Sequence, residues 1–144
     1  MLNALDEIFQ SHILVNSDLT TQPIETNQAD YPLVALQQLA RNAVLHRLYE
    51  GTHAPVRITW FNDRIEIHNP GGPFGQVNRQ NFAQPGVTDY RNPHLAEVMK
   101  NMGYVQRFGF GIPIARQALE KNGNPPPEFD LGETHVLVII RSRL

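Results

Sequence analysis

One segment limits the fold more than any other: the run from Tyr31-Pro32 to about Tyr49. Leu33, Leu36, Leu39, Ala40, Ala43 and Leu48 recur there at steps of three and four. That is the period of a helix with one buried stripe. Pro32 suits the first turn, where a missing N–H is no loss, and Gly51 suits the stop. Gln38, Asn42 and His46 stand four apart, so they project as one polar line beside the stripe. A helix edge at the waterline would explain any one of them. The string Arg41-Asn42-Ala43-Val44-Leu45-His46-Arg47, followed by two glycine motifs, is harder to explain that way.

A buried stripe needs a second layer. Val56, Ile58 and Trp60 alternate with Arg57 and Thr59, and Ile65 and Ile67 alternate with Arg64, Glu66 and His68. Two period-2 runs around Asn62-Asp63 predict a β-hairpin whose apolar face covers the helix. The second strand runs into Asn69-Pro70-Gly71-Gly72-Pro73, where proline should end the ladder. The glycines allow positive φ and close approach to the backbone.

From Pro70 to Arg91 the chain reads as one long loop, anchored only by Phe74, Val77, Phe82 and Val87. Long loops in compact domains are usually lids, binding loops or disordered. Asn92-Pro93 predicts an N-cap and a first helical residue. Leu95, Val98, Met99 and Met102 give that helix an apolar face, and Gly103 ends it. Arg107-Phe108-Gly109-Phe110-Gly111-Ile112 leads into another helix, which carries Ala115 and Leu119 and stops at Gly123. Glycines ahead of a helix leave its first N–H groups uncovered, an arrangement suited to anions. Most Gly-x-Gly pairs, however, serve only turns or packing. Asn124 to Pro127 reads as a rigid linker, Val136 to Ile140 as a buried strand, and Arg141 and Arg143 as solvent-facing. At the front, Leu2, Leu5, Ile8 and Phe9 space like a short helix, and Ile13 to Val15 could begin a strand. Ser17 to Asp30 is polar, an edge strand or a connection. Residues 1–30 thus read as a lead-in from an upstream domain, and 31–144 as the domain proper.

The chain has 144 residues and a net charge of −2, so no basic field calls for nucleic acid. It has no cysteine, hence no disulfide and no thiolate metal site, which fits a cytoplasmic setting. Asp6 and Glu7 sit where a signal peptide would be basic or apolar. The longest apolar run, Val136 to Ile140, is too short for a membrane span.

In order and spacing, these motifs resemble the GHKL (Bergerat-fold) ATPases: Asn42-Ala43 with His46 on a helix, a strand into Gly71-Gly72, a variable lid, then Gly109-Phe110-Gly111-Ile112 opening a helix. More closely, Tyr31 to Ile140 is similar to the C-terminal domain of bacterial proteins labelled RecG-related helicase or Schlafen AlbA-type transcriptional regulator. The resemblance implies an α/β (α+β) two-layer sandwich, with a mixed, mostly antiparallel sheet and helices packed on one face. It implies that Asn42 would offer its amide oxygen to Mg²⁺ bridging the phosphates of ATP. Asn69 would stand at the adenine-reading position and Gly71 would let the base approach, with Gly72 and His46 beside them. Gly109, Gly111 and Ile112 would cradle phosphate at the helix start, and Arg107 would neutralise it.

The departures from the family pattern bear on turnover. Hydrolysing members usually carry Glu where this chain has Gln38, and an amide cannot accept a proton at pH 7. Asn69 replaces the adenine-site Asp, and Gln106 stands where close relatives have another Glu. No Gly-x-x-x-x-Gly-Lys-Ser/Thr loop is present, so the chain is not a helicase by itself and is an ATPase at most. Two expectations follow. One is a nucleotide-sensing module with little or no hydrolysis, reaching DNA only through an upstream domain. The other is a pseudo-ATPase kept for homodimerisation or protein interaction. A common open cleft around Asn42, Asn69, Gly71 and Gly109 favours the first; Phe74, Phe82, Phe108 or Phe110 filling it favours the second.

Overall fold

The computed structural model describes residues 2–13, 15–18, 26–49, 54–75, 77–78, 80–86, 89–104 and 109–143. Helix α1 (Leu2–His12) leads to a hairpin of β1 (Val15–Asp18) and β2 (Thr26–Ala29), antiparallel and forming a small sheet of its own. Helix α2 (Leu33–His46) follows, then β3 (Arg57–Trp60), β4 (Arg64–Pro70), α3 (Pro93–Asn101), α4 (Gly111–Asn122), β5 (Glu128–Leu131) and β6 (His135–Arg141). The main sheet has the order β3-β4-β6-β5. Every neighbour is antiparallel and the sheet stays open.

Register decides which residues meet the helices. Ile65 and Ile67 of β4 pair with Ile140 and Val138 of β6, and all four are buried. On α2 the buried residues are Ala35, Leu36, Leu39, Ala40 and Ala43, and on α4 they are Ile112, Ala115 and Leu119. These sets pack into one core with Phe9 of α1 and Tyr31. Trp60, Ile58 and Phe129 close its sides. The result is a two-layer sandwich with α1, α2 and α4 on one face of the sheet, as the alternating strands and the helical stripe require. The other face carries Arg64, Glu66 and His68, with Arg64 bonded to Glu66 at 2.9 Å.

Several local expectations are corrected. The Tyr31–Tyr49 helix is shorter at both ends, with Pro32 at its extended N-cap and Arg47 at its C-cap. Gly51 lies outside the described residues. Pro70 does not stop the ladder but belongs to it, paired with His135. Gly71 N–H donates to the Thr134 carbonyl, so the preceding proline nitrogen faces away from β6 and needs no partner. The Ser17–Asp30 stretch holds the end of β1 and all of β2, which pair with each other, rather than one long edge or a bare connection. Asn124–Pro127 leads directly into β5, an edge strand whose alternation is too short to read locally. On α3, Ala96 and Met99 are buried whereas Val98 and Met102 are exposed, because this helix shows the core a narrow stripe. Arg141 keeps its side chain in solvent as expected, paired there with Glu128.

Leu36 is fully buried where α2 meets the sheet. Leu36→Ala is expected to cost about 2–5 kcal/mol, read as a lowered urea midpoint at unchanged m-value; a cost well under 1 kcal/mol would contradict this packing.

Candidate functional site

The apolar alternation of β4 breaks at its end. The helix-facing positions run Ile65, Ile67 and then Asn69, opposite Val136. Asn69 is 5% exposed, and its Oδ1 is buried with no hydrogen-bond partner. The chain leaving α2 reaches the same place, where Leu48 N–H donates to the Pro70 carbonyl at 3.0 Å. That bond ties the end of α2 to the end of β4, so His46 and Asn69 come to one cleft.

The cleft has an empty volume of about 1060 Å³, counted out to the solvent at its mouth. From α2 it is lined by Gln38, Arg41, Asn42, Leu45 and His46, at steps of three and four. From β4 and the turn after it come Asn69, Gly71 and Gly72. Gly109, Gly111 and Ile112 line the wall at the start of α4. The Phe74–Tyr90 loop adds Phe74, Phe82, Asp89 and Tyr90, and has no helix or strand among its described residues. Eight of the sequence-expected residues thus meet: Asn42, His46, Asn69, Gly71, Gly72, Gly109, Gly111 and Ile112. Gln38 joins them, while Arg107, Gln106 and Phe108 lie outside the described residues.

The two glycine walls are built differently. Gly71 has φ +94°, and a Cβ there would lie 2.9 Å from Leu48 Cβ. Only glycine lets the turn fold against the chain leaving α2. Gly109 has φ +80°, and a Cβ there would lie 2.9 Å from Gly86 Cα. Gly86 N–H donates to the Gly109 carbonyl, so this glycine also docks the long loop onto the head of α4. At that head, Phe110 is the N-cap and makes no side-chain capping bond. Pro113, two residues into the helix, carries no N–H, leaving Gly111 and Ile112 as the early donors beside the cleft. Gln38 Oε1 lies against Gly111, 3.3 Å from where its Cβ would stand.

Asn92 is not the side-chain cap its sequence suggests. Its Nδ2 reaches back to the carbonyls of Leu45 and Arg47, at 2.9 and 2.8 Å. It therefore closes the C-terminus of α2 and fixes α3 beside the cleft. Arg91 Nη2 donates to the Gly72 carbonyl at 3.0 Å, and its guanidinium lies over Phe74.

His46 stacks on Tyr90, with ring centroids 5.3 Å apart. Burial pushes its pKa down to about 4, and the charge of Arg91 adds to the effect. It is a neutral imidazole at pH 7, able to hydrogen-bond or stack but not to neutralise phosphate. Among the described residues, the lining includes one basic and one acidic side chain, Arg41 and Asp89. The Arg41–Arg47 string contains Arg41 without assigning it a role, although its place three residues after Gln38 alone puts both on one helix face. Among the described residues no cluster of three or more His, Cys, Asp or Glu could hold a metal. Among the described residues α2 presents two neutral amide oxygens to the cleft, those of Asn42 and Gln38.

Residues 51–140 match the family described as "Putative ATP-dependent DNA helicase recG C-terminal". The chain belongs to this family. It is an ATPase-like domain related to the RecG C-terminus, and the matched span holds both glycine walls and the loop between them. No curated protein matches the chain. Among solved structures, the DIP2311 protein from Corynebacterium diphtheriae is similar, with a TM-score of 0.84 at 20% identity. The likeness covers 98% of this chain and 28% of that one, and at this identity it speaks for the fold alone. No helix among the described residues of this RecG C-terminal family member is long and apolar enough to cross a membrane.

The depressed His46 pKa sets a pH dependence. Between about pH 4 and 6.5 the unfolded chain binds a proton that folded His46 excludes, so stability rises with pH there and levels off above. His46→Gln is expected to reduce that rise by roughly 1–3 kcal/mol, a discounted value for a half-buried ring. Urea titrations at the two ends of the window check this, and an unchanged slope would contradict it.

Proposed function

We propose that this domain binds ATP or a close relative with Mg²⁺, with little or no hydrolysis, as the nucleotide-sensing part of a bacterial transcriptional regulator that reaches DNA through another domain. The observation that carries this reading is the buried, unpaired Asn69 Oδ1 at the head of the cleft. A buried acceptor without a donor costs about 1–3 kcal/mol. The amino group of a purine is a donor of the right kind for that oxygen. Gly111 and Ile112 N–H groups suit phosphate at the start of α4. Asn42 would hold Mg²⁺ through its amide oxygen, with phosphates and water as the other ligands, and the ion would there offset phosphate charge. In order this set resembles a Bergerat-fold nucleotide site, with Asn69 in place of its Asp and Gln38 in place of its Glu.

Low turnover follows from Gln38. Its amide lies against Gly111, where the phosphates would end, and it cannot take a proton from water. Among the described residues Phe74 and Phe82 line the cleft but leave it open, and Phe82 turns its ring edge-on to Phe129 at 5.1 Å. That openness favours the sensor over an interaction domain with a shut cleft.

A thermal-shift titration with Mg-ATP tests the reading. At a hundred times its Kd the ligand is expected to add about 2.7 kcal/mol of stability. Asn69→Leu should remove the shift, and no shift at millimolar nucleotide in the natural chain overturns the proposal. Phosphate release is expected to stay near background and to rise in Gln38→Glu, by at most about 10²–10⁴-fold.

A further inference from the structure

Arg41 is a cation on the wall of the cleft that is already engaged elsewhere. Its Nη2 donates to Asp6 Oδ2 of α1 at 2.8 Å, and the two side chains are 15% and 18% exposed. Its guanidinium lies 5.0 Å from the centre of the Tyr104 ring. The Tyr104 hydroxyl in turn donates to Asn3 Oδ1 of α1 at 2.7 Å. Asn3 and Asp6 stand three apart on one face of α1, so this face closes over the guanidinium from outside. Arg41 Nε remains buried and unpaired. A guanidinium offers five donors, and one carboxylate oxygen is a poor match for that number.

We infer that Arg41 is a polyphosphate-binding residue of the cleft and that Asp6 holds it in check, so that ligand binding and the docking of α1 compete for one guanidinium. The inference rests on the nucleotide reading above and adds to it the residue that answers the phosphate charge and the element that senses it. A polyphosphate presents several anionic oxygens and takes an arginine fork in two parallel bonds, whereas Asp6 takes it in one. What Asp6 withholds from the ligand, the ligand withholds from α1, because coupling between two binding events is reciprocal. The helix itself remains held by Phe9 in the core, so loss of the ion pair loosens its polar face before its apolar one.

The chain carries its own reporter. Its single tryptophan, Trp60, lies against two residues of α1, with ring centroids 6.5 Å from Phe9 and 5.4 Å from His12. Mg-ATP and inorganic triphosphate are titrated into the natural chain, Asp6→Asn and Arg41→Gln, with Trp60 emission and calorimetric Kd both recorded. Asp6→Asn is expected to bind both ligands about fivefold more tightly or better. Arg41→Gln is expected to bind both at least about tenfold more weakly and to lose the emission change. If ATP binds with equal affinity to the natural chain and to Asp6→Asn, and Trp60 stays silent, the latch is wrong and the nucleotide reading stands. If triphosphate moves Trp60 through Arg41 while ATP does no better, the latch stands and the nucleoside part of the reading falls. If neither ligand binds any of the three, both are wrong.

Discussion

The bond from Leu48 N–H to the Pro70 carbonyl fixes the place where helix layer and sheet layer end together. Everything at the candidate site is arranged by that junction. It sets the last turn of α2 beside the last inward residue of β4, just where the apolar core gives out. Ile65 and Ile67 are fully buried against α2, and the next inward residue is an asparagine. A third isoleucine would extend the core; Asn69 instead leaves a polar atom at its edge.

Such a residue breaks a local rule, as do its neighbours. Asn69 Oδ1 is buried without a partner, His46 is kept neutral, and Gly71 and Gly109 adopt left-handed φ. Each lowers stability relative to an apolar or regular alternative. Their concentration in one cleft is what distinguishes a site from a scatter of imperfections. Elsewhere the strands alternate and α2 is striped, and the left-handed Gly123 with φ +84° does the ordinary work of a helix C-cap.

The second constraint is the docking of the long loop on α4. Gly86 N–H donates to the Gly109 carbonyl, and any side chain at Gly109 would collide with the Gly86 backbone. Tyr90 and Asn92 anchor the same segment on α2, one by stacking on His46 and one by bonding the carbonyls of Leu45 and Arg47. A stretch with few apolar residues is thereby held by backbone contact, by Tyr90 and Asn92, and by Phe82 and Ala83 packed on the main core.

Local sequence by itself determined the α2 stripe, the β3–β4 hairpin, the helix stop at Gly123 and the strand around Val136 to Ile140. These depend on neighbours a few residues away, whose spacing fixes which side of an element is buried. It also placed Gln38, Asn42 and His46 on one line. The pairing of Arg41 with Asp6, the use of Asn92 as a clasp instead of a cap, and the strand β5 were decided by tertiary structure alone. Each joins segments that spacing cannot relate: a guanidinium and a carboxylate 35 residues apart, an amide and carbonyls 45 and 47 apart, and an edge strand with β6 as its only partner in the sheet. A side chain's partner across such a distance is set by how whole elements pack, and local sequence carries no measure of that.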